Sequence, residues 1–375
     1  MLTIVSKFDS VHRSIILQRI DKKIMNSFKR FFDFIGIGAV LFFLCVLFTL
    51  QSDIFPTPRN LSMILVHTSV NIIIAAGMTY VICAAEIDLS VGSLLALCGM
   101  TTAMILKLDP ETGRNIPMAF ADALTSPLPD LFYGNPTWWA LAVLSFLFLA
   151  LLPGALAGGA SGFIVVRFGV PSFIVTLGFM LILRGLARWL TNAAPITGMP
   201  PQFMQIGAGV LYEFWEFRIT YSAVIALSVA LLAAVVLAWT RFGRHVMAVG
   251  GNRQASYLSG APVARTRFMV FVVSGLCAAI ASIIQTSRIF MGDPNAGEGY
   301  ELDAIAAVVI GGASLFGGKG GVIGALFGAL IIGVLRNGLE LMEVTDHIKQ
   351  MVIGGMIIFA VLLDYYRRRL YGESD

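Results

Sequence analysis

The chain has 375 residues, of which 57% are hydrophobic and 13% are charged, and its formal net charge is +4. In water, such a chain would expose more apolar surface than one fold of this length could bury, whereas a bilayer accepts apolar runs of about 20 residues as helices. The composition therefore excludes a soluble domain of any size. Nucleic acid is not expected as a partner, because the basic residues flank apolar runs and form no single patch.

The cysteines and histidines predict no disulfide framework and no metal site. The four cysteines lie inside apolar runs, far apart and without C-x-x-C spacing, and are expected to be buried thiols: Cys45, Cys83, Cys98 and Cys277. The four histidines are scattered, without the spacing of a metal or hydrolase motif.

Apolar runs predict an all-α integral membrane protein, because backbone groups in lipid must bond within a helix and no run alternates as a barrel strand would. A basic segment, 1–30, precedes a membrane domain, 31–366, and a short tail, 367–375. About ten spans are predicted: 31–51, 61–85, 88–107, 138–165, 172–190, 220–239, 268–287, 303–316, 320–338 and 348–366.

The eighth span is too short for an ideal crossing and lies next to a glycine-rich stretch, 311–321. These features predict a broken or re-entrant helix facing the bundle interior, although glycines also serve plain helix packing. Glu86-Ile87-Asp88 opens the third span and Glu301-Leu302-Asp303 opens the eighth. Since these two spans run in opposite directions, the match suggests a weak inverted repeat, with coincidence as the alternative.

The basic residues in short connections predict that both termini are cytoplasmic. Segment 240–267 carries five arginines and no acid, and the tail begins with three consecutive arginines. Both are therefore expected inside. Segments 108–136 and 288–302 carry acids and are expected on the opposite side.

Charges within or at the edges of spans are costly, about 2.5–3.5 kcal/mol at a helix centre, and so indicate function. These charges, with Ser90 beside them, form the predicted translocation pathway: Glu86, Asp88, Ser90, Arg184, Glu301 and Asp303. Glu86 and Asp88 have an equally simple interpretation as a polar connection in which Asp88 caps the third span. Arg184 lies mid-span and is expected to face the bundle, paired with an acid or a backbone carbonyl.

Segment 250–262 predicts a helix of about two turns between two spans. Asn252 is a competent N-cap, Gly260 a C-terminal stop, and Pro262 prevents continuation. A helix this short needs a docking surface, either the chain's own loops or, preferably, a separate cytoplasmic partner. The residues predicted to carry this coupling contact are Gly251, Asn252, Ala255, Leu258, Ser259 and Gly260.

The glycine-rich stretch from Gly312 to Lys319 is not a phosphate-binding loop, because Ala313 occupies a required glycine position and Gly320 follows the lysine. The chain also has no G-x-S-x-G elbow. We therefore expect no covalent catalysis, and no cofactor bound by this chain.

Several segments together resemble the sugar-type permease family of bacterial ATP-binding-cassette importers, which contains ribose, galactose and xylose permeases. The resemblance covers most of residues 60–365 and is carried by four stretches: Glu86 to Ser93, Pro171 to Gly178 with Arg184-Gly185, Gly250 to Gly260, and Tyr300 to Gly321. Family members commonly carry acids after Gly-Gly-Asn, whereas Arg253-Gln254 stand here, and segment 108–136 is longer than is usual.

The resemblance implies a multi-pass permease of the bacterial inner membrane that imports a monosaccharide or related polyol. It further implies a second permease copy or paralogue, a periplasmic or extracellular sugar-binding protein, and a cytoplasmic ATPase that uses ATP and is gripped by helix 252–260. The alternatives are a branched-chain amino acid permease, a proton-coupled secondary transporter using the intramembrane acids, and an integral membrane enzyme. The sequence names neither the sugar nor the choice between homodimer and heterodimer.

Overall fold

The computed structural model describes residues 36–107, 116 and 136–370. The predicted basic segment 1–30, nearly all of segment 108–136 and the end of the tail lie outside the described residues. In the described part, each of the ten predicted spans has a helix, which confirms the all-α membrane fold. These helices are α1 Gly36–Gln51, α2 Pro58–Cys83, α3 Val91–Leu106, α4 Pro136–Phe168, α5 Ser172–Trp189, α7 Tyr221–Trp239, α10 Val263–Ile289, α11 Tyr300–Ile310, α12 Val322–Leu341 and α13 Asp346–Leu370.

Short elements fill two of the connections. A 3₁₀ turn, Pro201–Phe203, leads into α6, Met204–Ala208, and a hairpin of β1, Val210–Phe214, and β2, Phe217–Thr220, follows. Between α7 and α10 lie α8, Arg241–Gly251, and α9, Arg253–Leu258. Helix α9 was expected, whereas the hairpin and α8 were not predicted from the sequence.

The helices α2 and α10 form the centre of the bundle, where they pack against each other. Of their most apolar windows, 72% and 67% are buried, compared with 28% for α5 and 22% for α7. Helices α5 and α7 therefore present apolar side chains outward, as expected for helices that face lipid.

The described connections gather at two ends of the bundle. At one, which we call the α9 end, Gly318 N–H donates to the Cys83 carbonyl and Ile87 N–H donates to Ser172 Oγ. At the other, the hairpin end, Arg218 N–H donates to Ser62 Oγ. Since consecutive spans run between these ends, this arrangement matches the alternation predicted from the sequence.

Helices α3 and α11 are short, with 16 residues and 11 residues respectively. At about 1.5 Å per residue they reach about 24 Å and about 16 Å, which is too short to cross a hydrocarbon core of about 30 Å. The non-helical segment 84–90 leads from the α9 end to α3, and segment 290–299 leads from the hairpin end to α11. Segment 290–299 runs along α3, with Gly292 beside Ala103 and Gly297 beside Gly92. Each segment therefore enters the bundle before its helix begins.

The packing of these elements is that of an inverted repeat. Helix α4, which follows α3, packs on α10, while α12, which follows α11, packs on α2. Likewise α3 packs on α10 and α11 packs on α2. In each of the sets α2 to α4 and α10 to α12, the second and third helices thus pack on the first helix of the other set. The short helices of the two sets enter the bundle from opposite ends.

Candidate functional site

Glu86 lies just beyond α2 and is 3% exposed. Its Oε1 accepts a hydrogen bond of 2.8 Å from Arg253 Nη2 and one of 2.5 Å from Arg267 Nε. Arg253 begins α9 and Arg267 lies in the second turn of α10. A buried carboxylate is tolerated when it is paired in this way. Glu86 therefore joins the segment leading to α3, the short helix α9 and the start of α10.

Asp88, which is 1% exposed, lies deeper in the bundle. Its Oδ1 accepts from Ser90 N at 3.0 Å and from Ser90 Oγ at 2.6 Å, and its Oδ2 accepts from Ser274 Oγ at 2.8 Å. Ser274 lies about 16 Å along α10 from Val263, at about 1.5 Å per residue, so Asp88 is near the middle of that helix. The alternative interpretation, in which Asp88 caps α3, is wrong, because Ser90 is the N-cap residue and the carboxylate bonds ahead of the helix.

Glu301 lies against the start of α3, and Arg184 binds the neighbouring segment before α11. The buried Oε2 of Glu301 has no hydrogen-bond partner, and it lies so close to Gly92 that a Cβ at that position would overlap it. Arg184 Nη1 donates to the carbonyls of Pro294 and Ala296 at 3.0 and 2.8 Å, the kind of partner expected from the sequence. Arg184 thus fixes the segment that leads into α11.

Asp303 lies in the first turn of α11 and is 2% exposed. Both carboxylate oxygens accept from Arg336 Nη2 on α12, at 2.9 and 2.7 Å. The predicted pathway residues therefore divide into three neighbourhoods. Asp88, Ser90 and Glu301 lie around the start of α3, with Arg184 on the adjacent segment before α11, whereas Glu86 belongs with α9 and Asp303 with α12.

Helix α9 has a fixed base and a free face. Asn252 Oδ1 accepts from Ala255 N at 2.8 Å, and Gly260 ends the helix at a φ of 80°, as the sequence predicted. Ser259 N–H donates to the Ala255 carbonyl. Yet Ala255 is exposed, and Leu258 is 78% exposed. The helix does not pack its apolar side on the described loops of its own chain.

Close contacts of glycines hold the start of α9, where the end of α8 meets segment 311–321 and the end of α2. Gly250 lies against the Cys83 carbonyl, and a Cβ there would overlap it, while the Cα of Gly251 faces Gly318. Gly318 adopts a φ of 73°, a conformation that favours glycine. The predicted coupling residue Gly251 is therefore part of the close joint between α8 and the 311–321 connection.

Sequence reasoning missed the cations near the hairpin end. Arg336 lies inside the predicted span 320–338, and Arg288 lies just beyond the predicted span 268–287. The signal that drew attention to Arg184, a charge within a span, applies equally to Arg336. No group of three histidine, cysteine or acidic side chains that could hold a metal ion occurs among the described residues.

Fold and site together define a polytopic helical membrane protein with two half-helices and a short exposed helix at one end. Residues 60–361 match the family model described as "Branched-chain amino acid transport system / permease component". The chain belongs to this family of transport permeases. No solved structure matches it.

Curated relatives are similar over nearly their whole length. The Ribose import permease protein RbsC of Escherichia coli (strain K12) is 39% identical over 334 residues, 87% of this chain and 91% of the relative. The D-allose transport system permease protein AlsC of the same strain is 33% identical, covering 92% and 95%. The Xylose transport system permease protein XylH, also from that strain, is 33% identical, covering 90% and 92%. The resemblance to sugar-type permeases is confirmed.

Proposed function

We propose that this chain is the membrane-spanning subunit of an ATP-driven importer that carries a monosaccharide or related polyol across the bacterial inner membrane. Relatives named for ribose, allose and xylose support the substrate class. The chain itself performs no covalent catalysis and binds no cofactor. ATP is used by a separate subunit.

The observation that carries this proposal is the exposed helix α9 on a fixed base. A helix this short is marginal unless it is held. Its N-cap, its glycine joint and Arg253 hold it, while Leu258 remains 78% exposed. An exposed apolar side chain on an anchored helix suits docking to another protein. We assign that protein as the cytoplasmic ATPase.

The orientation follows from the same assignment. With α9 in the cytoplasm, the arginines of segment 240–267 lie inside, as positive charge favours, and the hairpin end faces the periplasm or exterior. There it meets a sugar-binding protein. A second permease copy or paralogue completes the route, and both termini are cytoplasmic.

Glu86 connects this docking helix with the route. Its bonds to Arg253 and Arg267 link α9 and α10 to segment 84–90, which leads directly to Asp88 and the start of α3. Movement of α9 on the ATPase would therefore displace the half-helix that borders the predicted pathway residues. Asp88, Ser90, Arg184, Glu301 and Asp303 remain our proposed pathway residues.

A second candidate substrate is a branched-chain amino acid, because the family description names that transport system. The test is uptake by right-side-out vesicles of native membrane that contain the permease with its ATPase, maintain a proton gradient, and are supplied with the binding protein. We expect ribose, allose or xylose uptake that persists with an uncoupler while ATP is held constant. Loss of uptake on collapsing the proton gradient at constant ATP would contradict ATP drive, and uptake of leucine alone would replace the sugar.

A further inference from the structure

A group of polar side chains lies on the membrane-spanning helices near the hairpin end. We call it the hairpin-end patch: His67, Asn71, Gln285, Arg288 and Arg336. His67 Nδ1 lies 2.9 Å from Arg288 Nη1, and Arg288 Nη2 donates to Gln285 Oε1 at 2.9 Å. His67 is about 14 Å along α2 from its start at Pro58, so the patch extends well into the bundle.

Arg336 belongs to the same surface because α2 and α12 pack closely there. Gly333, one turn before Arg336, lies against Thr68, the residue after His67. Arg336 holds Asp303 through Nη2, but 43% of its side chain is exposed and its buried Nε has no hydrogen-bond partner. Asn71, one turn beyond His67, also has a buried Oδ1 without a partner. The patch thus has unused donors and acceptors.

The first turn of α11 connects the two cations. Tyr300 begins that helix and interacts with Arg288, while Asp303, one turn later, binds Arg336. The patch is therefore anchored to the half-helix that also carries Glu301. A ligand bound at the patch would be in direct contact with the elements of the inverted repeat.

Contact with lipid is unfavourable for the polar side chains of the hairpin-end patch. A guanidinium in lipid costs up to about 2.5–3.5 kcal/mol, the value on insertion scales for the centre of a helix, and unsatisfied polar atoms add to that cost. The lipid-facing surface of the chain looks different, because α7 exposes Leu227, Leu231 and Leu232. The hairpin-end patch instead suits a water-filled space.

We propose that the hairpin-end patch lines the outer part of the transport route and makes hydrogen bonds to the hydroxyl groups of the passing substrate. This inference rests on the proposed function. The planar guanidinium forks of Arg288 and Arg336 each offer paired donors, which match neighbouring hydroxyls of a polyol. His67, Asn71 and Gln285 supply acceptors beside them, and His67 and Gln285 already share Arg288. Polyhydroxylated substrates require both kinds of group.

The first test is water access, measured in cells with a membrane-impermeant cationic thiosulfonate. In a background where the four native cysteines are replaced by alanine and uptake is retained, His67→Cys is compared with Leu231→Cys on the lipid face. Because thiosulfonates react with the hydrated thiolate, we expect His67→Cys to react at least about tenfold faster. Modification at position 67 should block sugar uptake, and saturating sugar with its binding protein should slow the reaction.

The second test separates substrate contact from structure. Arg336→Lys keeps a cation for Asp303 but removes the planar fork. We expect normal abundance and ATPase co-purification, a several-fold loss of sugar uptake, and altered preference between ribose and xylose. The control is Arg218→Lys in the exposed hairpin pair with Glu213, which should leave uptake unchanged.

Two results would overturn the inference: equal, slow modification of His67→Cys and Leu231→Cys, or fast modification that leaves uptake intact while Arg336→Lys transports normally. The proposed function fails on different results: the unmodified complex imports no sugar, or its sugar import is lost when the proton gradient is collapsed at constant ATP.

Discussion

The two Glu-x-Asp segments, residues 86–88 and 301–303, have the same spacing, but arginine binds the glutamate in the first and the aspartate in the second. In the first, Glu86 is held by two arginines and Asp88 by hydroxyls. In the second, Asp303 is held by an arginine and the buried Oε2 of Glu301 has no partner. The inverted repeat therefore preserves the positions of the acids but not their partners. The ion pairs of the first segment lie at the α9 end, and the ion pair of the second lies toward the hairpin end.

The largest expected effect is at Glu86. Glu86→Gln leaves Arg267, whose side chain is 12% exposed, without its carboxylate. Breaking a buried ion pair costs about 3–5 kcal/mol. Arg253, at 48% exposure, can be hydrated, so we expect a value near the lower limit. Thermal unfolding in detergent measures the loss, and substrate-stimulated ATP hydrolysis should fall with it.

The matched control for Glu86 is Glu213→Gln, which breaks an ion pair at the surface. The side chain of Glu213 is 47% exposed, and that of its partner Arg218 is 50% exposed. Such pairs contribute at most about 1 kcal/mol. Equal destabilisation by Glu86→Gln and Glu213→Gln would show that Glu86 is not a structural joint.

The next effect compares the two aspartates. Asp303→Asn removes the charge that binds Arg336, whereas Asp88→Asn alters only bonds from serine groups. Losing one partner of a charged pair should cost about 2–3 kcal/mol, and changing the serine bonds about 1 kcal/mol. We expect lower abundance and uptake in Asp303→Asn. Adding Arg336→Gln should partly recover the abundance, in a double-mutant cycle, but not the uptake, because Arg336 also belongs to the hairpin-end patch. Both aspartate variants transporting normally would leave these acids without a pathway role.

A smaller effect is expected where the two half-helices touch. Gly92→Ala adds a Cβ that overlaps Glu301 Oε2 and the Gly297 carbonyl, and overpacking of this kind costs about 1–3 kcal/mol. Uptake should fall more than abundance, because the contact joins α3 to the segment before α11. Gly178→Ala on α5 meets nothing within 4 Å and should be tolerated. Tolerance of both substitutions would contradict a close α3–α11 contact.

The sequence was sufficient for features whose cause is local. Apolar runs located the ten spans, because lipid forces each run into a helix. Asn252 and Gly260 gave the limits of α9, because caps act within one turn. The shortness of the eighth span predicted the half-helix α11. The equivalent half-helix α3 was indicated only by the match between residues 86–88 and 301–303.

Features that depend on distant partners were not predictable. Glu86 is separated from Arg253 and Arg267 by 167 and 181 residues, so no local pattern joins them. The same applies to Asn60 and Asn337, which bond each other across 277 residues at the hairpin end. The β-hairpin was missed because its strands are only 5 and 4 residues long and every residue of β1 is exposed.

The most direct test of the account is to disrupt the exposed face of α9 alone. Leu258→Asp places a charge on that face, while the spans, anchored elsewhere, should still insert. We predict near-normal membrane abundance, at least about tenfold less co-purifying ATPase, equivalent to about 1.4 kcal/mol or more of lost binding, and no substrate-stimulated ATP hydrolysis. Leu211→Asp, the same change at the hairpin end, should retain the ATPase. Full co-purification and substrate response in Leu258→Asp would contradict the assignment of α9 as the coupling helix.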